Sequence, residues 1–217
     1  QLWQEFAKFQ DQFMALTKKR SEAHQIIEKK VTILEHALRY HPNDGELIVM
    51  LLKEREKLED RPTTEKRWRY ACDNNAGNPT VWREFLKYRK GDFVNFSVGA
   101  LETEYKRALR ALAASHSEAT LTKKSSVAKL EDAMVDFVID YYTLVMQSGG
   151  TERAVAKMQA TLEFGCLSPT QGLEADLLDS FESFWECEEP RVGEPNATGW
   201  EDWLTMNEAV KSRVREN

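Results

Sequence analysis

The chain has 217 residues, 41% hydrophobic and 30% charged, with a formal net charge of −6 and a mean hydropathy of −0.58. That length is enough to bury a real core in one large domain or two small ones. No apolar run approaches the roughly 18 residues needed to cross a bilayer and the N-terminus lacks a secretory pattern, so the sequence predicts a soluble intracellular protein with no membrane partner.

The first helix is announced by Trp3, Phe6, Phe9, Phe13 and Leu16, whose steps of three and four place one apolar stripe along it. The chain opens without methionine and already inside this pattern, which predicts a segment of a longer protein. Ile27, Val31, Leu34 and Leu38 share one face of a second helix that ends at His41-Pro42, because proline disfavours helical geometry in the residue before it. Asn43 is the expected cap of the third, with Glu46 reaching back, and this helix runs to about Leu58. Its partner is predicted over roughly 64–74, after Arg61-Pro62, and Asn78-Pro79 then supplies a cap and a first-turn proline for the next.

Two successive units repeat at an offset of 34. Leu47, Ile48, Leu51, Leu52 and Arg55 fall on Val81, Trp82, Phe85, Leu86 and Arg89, and Leu34, Ala37 and Leu38 fall on Trp68, Ala71 and Cys72. This is the period of repeats made of two antiparallel helices, in which one unit cannot bury its apolar face without its neighbour. After Gly91-Asp92-Phe93, a helix capped by Ser97 carries Leu101, Tyr105, Ala108 and Leu112, now 37 residues beyond Trp68 and Ala71 because the connection has grown by three. Residues 114–126 are polar and read as a mobile loop or linker. Further helices are predicted over about 127–146, over 151–164 with Thr151 as cap and Ala154, Val155, Met158 and Leu162 inward, and from a Ser168/Gln171 capping box through Leu177, Phe181, Phe184 and Trp185. Pro190 to Gly199 is a loop, and Trp200, Trp203 and Leu204 begin a final helix.

The resulting expectation is an all-α chain, an α-solenoid of antiparallel HAT/TPR-like helix pairs. Its layout is residues 1–113 as N-terminal pairs, 114–126 as the polar linker, and 127–217 as C-terminal helices with the Pro/Gly loop. Trp82-Arg83-Glu84-Phe85-Leu86-Lys87-Tyr88 resembles the half-a-TPR (HAT) repeat motif. With Phe93, Phe96, Val98 and Tyr105, then Thr151 to Val155 with Gln159 and Glu163, and above all Phe184-Trp185, Pro190 to Glu194, Gly199-Trp200 and Trp203, the chain resembles the nuclear-RNA-interference-defective family from about Trp3 to Leu204. That resemblance implies a nuclear protein of RNA processing, RNA surveillance, splicing and gene silencing. It further implies action with an exosome-linked DExH-box RNA helicase, bound through a segment N-terminal to the repeats and outside this chain. The repeats are then a scaffold for other protein partners, each offering a peptide or helical segment.

The candidate partner-binding site is Arg191, Glu194, Trp200 and Trp203, since a Pro/Gly loop holding a charge pair reads as functional. The competing reading is that Trp185 and Trp200 pack the loop onto the last helices, with Arg191 and Glu194 as capping or pairing groups. The run Lys66-Arg67-Trp68-Arg69-Tyr70 and the strip Lys106, Arg107 and Arg110 are the candidates for direct single-stranded RNA binding, the alternative function. Charge argues for protein instead: residues 171–217 carry 12 acidic and 4 basic side chains, leaving 26 basic against 24 acidic elsewhere. The acidic residues between Glu174 and Glu189 read as a solvated helix face. No catalytic residue, cofactor or metal site is predicted. His24, His36, His41 and His116 have no partner at catalytic or ligand spacing, and Cys72, Cys166 and Cys187 are widely separated thiols.

Overall fold

The computed structural model describes residues 2–16, 20–122, 127–169, 174–187 and 189–206. Among them every regular element is a helix, as expected: α1 (Leu2–Leu16), α2 (Arg20–Tyr40), α3 (Gly45–Glu56), α4 (Arg61–Asn74), α5 (Pro79–Lys90), α6 (Val98–Leu121), α7 (Val127–Gln147), α8 (Thr151–Cys166) and α9 (Glu174–Glu186). A further helical segment covers 200–206. The chain divides into two compact units, Gln1–Tyr141 and Tyr142–Asn217, and the division falls inside α7.

In the first unit α3 packs on α2, α4 and α5, and α5 packs on α4 and α6, so first helices of successive pairs lie side by side. The 34-residue register is a register of burial. Leu47 and Val81, Ile48 and Trp82, Leu52 and Leu86, Leu34 and Trp68, and Ala37 and Ala71 are all buried. Each large side chain so removed from water contributes about 1.5–3 kcal/mol. The Trp82 indole N–H donates to the Ala76 carbonyl at 3.0 Å, and Trp68 stacks on Tyr88 with ring centroids 5.9 Å apart. One buried cation also ties three helices together: Lys30 of α2 donates to Asp11 of α1 at 2.7 Å and to Glu54 of α3 at 2.5 Å.

Several local expectations are corrected. On α1 the side turned to α2 carries Trp3, Ala7 and Gln10, whereas Phe6, Phe9 and Phe13 remain about half exposed on another face. A helix packed chiefly on one neighbour covers one side only. The cap of α3 is Asp44, not Asn43; its carboxylate accepts from the Glu46 and Leu47 N–H groups at 3.0 and 3.2 Å. α4 starts at Arg61 and admits Pro62 in its first turn, where no N–H is needed. Asn78 and Ser97 do cap α5 and α6. The polar stretch read as a linker is helical through Leu121. Two inward residues about two turns apart, Leu112 and Ala119, are enough to seat it. Ser117 and Thr120 return their hydroxyls to the carbonyls of Ala113 and His116, four residues back.

In the second unit α8 begins after Gly150, whose carbonyl accepts the Ala154 N–H, so Thr151 lies inside the helix and is not its cap. Of the apolar residues expected inward on α8, Ala154 is buried, but Val155 and Leu162 are largely exposed; Glu163 is buried instead. The expected capping box before α9 involves Gln171, which lies outside the described residues. Among the described side chains of α9, Phe184 is buried, with Phe181 and Trp185 half-buried beside it.

Candidate functional site

The loop after α9 is built around a carboxylate from another helix. Glu163 of α8 is fully buried; its Oε1 accepts the Val192 N–H at 2.8 Å and its Oε2 accepts the Trp200 N–H at 3.2 Å. Burying a carboxylate is tolerable only where charge-assisted hydrogen bonds replace water, and here two backbone donors at opposite ends of one loop do so. One turn earlier on α8, Gln159 donates to the Val192 carbonyl at 3.2 Å and to Glu194 Oε1 at 2.9 Å.

Within the loop, the Arg191 carbonyl accepts the Glu194 N–H at 2.9 Å and closes a tight turn. Its third residue, Gly193, has φ +87°, the left-handed region that such a turn requires and glycine adopts without strain. Glu194 Oε2 in turn accepts the Arg191 N–H at 3.2 Å. Hydrogen bonds from Gln159 and from the Arg191 backbone hold the Glu194 carboxyl below its ordinary range, so it stays ionised. The Arg191 guanidinium lies 3.7 Å from the centroid of the Trp185 ring and donates to the Trp185 carbonyl at 3.2 Å. That close stacking is a cation–π contact.

Beneath the loop, Trp200 is fully buried, stacked on Phe164 at 5.7 Å and edge-on to Phe181 at 5.1 Å. Its indole N–H reaches Ser180 Oγ at 3.4 Å. Trp203 is half-buried, edge-on to Phe184. The four sequence candidates are therefore in one neighbourhood but in different layers. Arg191 and Glu194 are in the loop, while Trp200 lies beneath it with its ring sealed between α8 and α9. Sequence reasoning did not single out Gln159 and Glu163 as the anchors. In the sequence these two residues stood out only within the family resemblance, because the apolar stripe of Ala154, Val155, Met158 and Leu162 pointed to another face of the helix.

Three of the six basic candidates are paired with carboxylates. Arg67 pairs with Glu59, Arg69 with Glu65 and Glu104, and Arg107 with Glu104 and Asp73 while also covering the Trp82 ring. Trp68 is buried, whereas Tyr70 is exposed. Among the described residues no group of three His, Cys, Asp or Glu side chains is placed to hold a metal ion, and no helix is long and apolar enough to cross a membrane.

The family described as NRDE-2, necessary for RNA interference, matches residues 1–217 of the chain. Curated relatives carry the name nuclear exosome regulator NRDE2. The mouse protein is 28% identical over 96% of this chain and 19% of its own length, and the human protein 26% identical over 96% and 19%. That of Dictyostelium discoideum is 22% identical over 94% of this chain and 17% of its own length. The chain thus spans about a fifth of the relatives it matches. No solved structure gives a significant match.

Proposed function

This chain belongs to the NRDE-2 family, and from that premise we propose that it is a non-enzymatic scaffold of nuclear RNA processing, acting in exosome-linked RNA surveillance and nuclear gene silencing. In this reading its helix pairs are HAT-type repeats stacked as an α-solenoid, and they hold a peptide or helical segment of another nuclear RNA-processing factor. The relatives' name, nuclear exosome regulator, supports the setting. Contact with the exosome-linked DExH-box helicase belongs to a segment outside this chain.

The observation that carries the proposal is the loop of residues 189–199, whose backbone is pinned from below by the fully buried Glu163. A mere connection needs no buried carboxylate; a surface presented to a partner gains from a fixed shape. The partner then reads Arg191 and Glu194 together with the exposed Pro195, and Trp200 and Trp203 brace them from behind. The test is recovery of partners from nuclear extract with the wild-type chain, with Pro195→Arg, which leaves every anchor in place, and with Lys106→Glu as a distant control. Loss of a protein partner only with Pro195→Arg supports the site. Equal recovery by all three rejects the loop as its centre.

Direct single-stranded RNA binding is the alternative, and the commitment of Arg67, Arg69 and Arg107 to carboxylates weighs against it. Tight binding of a generic single strand that falls steeply with salt would restore it.

A further inference from the structure

In the first unit α1 repeats the residues of α5. Leu2-Trp3-Gln4-Glu5-Phe6-Ala7-Lys8-Phe9 and Val81-Trp82-Arg83-Glu84-Phe85-Leu86-Lys87-Tyr88 share Trp, Glu, Phe and Lys, and each keeps an aliphatic residue first and an aromatic one last. Their surroundings agree on one side and differ on the other. Trp3 and Ala7 pack inward, as Trp82 and Leu86 do. Val81 and Phe85 are fully buried and Tyr88 is half-buried, whereas Leu2 is 87%, Phe6 46% and Phe9 48% exposed. Steps of four and three place these positions on one stripe of each helix.

What covers the stripe on α5 is the helix pair before it. Trp68 of α4 lies against both rings, its centroid 6.4 Å from that of Phe85 and 5.9 Å from that of Tyr88. Lys53 of α3 donates to Glu84 at 2.5 Å, beside Lys87 at 2.7 Å. α3 follows the same rule one pair earlier. Its Leu47 and Leu51 stand 34 residues before Val81 and Phe85, and they pack with Leu34 and Ala37 of α2 in one apolar cluster. Glu54, in the place of Tyr88, takes Lys30 of α2 at 2.5 Å. α1 keeps the pattern but among the described residues has neighbours only from the elements that follow it. Glu5, in the place of Glu84, is bound there by Lys8 alone, the counterpart of Lys87, at 3.3 Å.

We infer that the Leu2, Phe6 and Phe9 face of α1 seats another helix pair of the same repeat type, supplied by residues that precede Leu2 in a longer polypeptide. The first helix of that pair brings a lysine to Glu5, in the part Lys53 plays. The second brings a large apolar side chain to Phe6 and Phe9, as Trp68 does for α5. The mouse and human relatives have length to supply it, since the matched region takes up 19% of each. Residues 41–44 suffice to join α2 to α3, and 75–78 to join α4 to α5. A pair so joined to α1 has an effective concentration that a free partner does not reach. A second copy of this chain fits poorly, because its own Lys53 and Trp68 are already engaged with α5. The inference rests on the stacked pairs of the scaffold reading and adds a surface to it.

The test uses the full-length protein with p-benzoylphenylalanine placed at position 6 and, separately, at position 9. Illumination should link each to a helix of the same chain N-terminal to Leu2, identified by mass spectrometry of the joined peptides. Amide hydrogen exchange is the second readout. From Phe6 to Gln10 it should be about ten-fold or more slower in the full-length protein than in the 217-residue chain. Phe6→Ala with Phe9→Ala should remove that difference, while the rates of the 217-residue chain itself stay within about three-fold. Links to a second copy or to a different protein, no links, equal exchange in the two chains, a difference that survives the alanine substitutions, or lost protection in the short chain each overturn the proposal. Should that happen while Pro195→Arg still strips a nuclear partner, the seat on α1 is rejected and the scaffold survives. Links within the chain, with no effect of Pro195→Arg, reject the loop and keep the seat.

Discussion

Replacing Glu163 with glutamine exchanges one buried oxygen for an amide nitrogen at nearly constant volume. Both groups that Glu163 satisfies are backbone N–H donors, at Val192 and Trp200, so an amide can answer only one of them. Whichever way it turns, its NH2 faces a donor. The loss is one charge-assisted hydrogen bond, about 1.5–3 kcal/mol, and a buried N–H left without an acceptor, about 1–3 kcal/mol. Removing a buried charge offsets part of this, which leaves a net cost of about 3 kcal/mol for opening the loop. The assay is amide hydrogen exchange at Val192 and Trp200, which reads local opening directly. Exchange at both should accelerate about 100-fold, since each 1.4 kcal/mol is about ten-fold. Rates within about three-fold of wild type would show that the carboxylate does not hold the loop, and the argument for a built surface would fall with it.

Three further outcomes follow from the same geometry. Cys72 is buried, and burial pushes its thiol up to about 12, whereas Cys166 and Cys187 are exposed. A thiol reagent at neutral pH should therefore modify those two at once and Cys72 only after denaturant, and prompt reaction of Cys72 would contradict its packing. Lys30→Met leaves Glu54 with Lys57 alone, at 2.9 Å, and should lower stability in urea titration by about 3 kcal/mol, the low end for breaking a buried ion pair; a change under about 1 kcal/mol would refute the clamp. Burial pushes the Asp140 carboxyl up, but hydrogen bonds from Lys90 and Tyr105 outweigh it and hold it below its ordinary range. The stability it contributes is thus present above the unfolded-state value and is lost as pH falls below about 4. Its side chain is 55% exposed, so solvent screening limits the effect to under about 1 kcal/mol. Asp140→Asn should flatten the acid limb by that amount, and an unchanged limb would remove the pair from the account.

The helix-pair register was legible in the residues because burying one face of a helix imposes a period on the chain. Leu47 and Val81, or Leu34 and Trp68, announce their burial by their spacing alone. Prolines and short polar side chains likewise marked the starts at Asn78 and Ser97, where local hydrogen bonds decide the matter. The same logic misread residues 114–121, since a single small residue, Ala119, two turns beyond Leu112, seats that stretch of helix, and a polar sequence hides so weak a stripe. It also misjudged Phe6, Phe9 and Phe13, which form a regular stripe that α2 does not cover. The loop's Arg191 and Glu194 stood out by composition, but which groups hold them did not.

Glu163 shows why. On its own helix a glutamate reads as solvated, because burial of a charge is ruled out unless donors arrive from elsewhere. Those donors belong to Val192 and Trp200, 29 and 37 residues further on. The ion pair of Lys53 on α3 with Glu84 on α5 has the same origin, as the two meet only when those helices pack. Local pattern thus determined where helices run and which faces are apolar, while long-range packing alone decided which charges are paired, buried or left on offer.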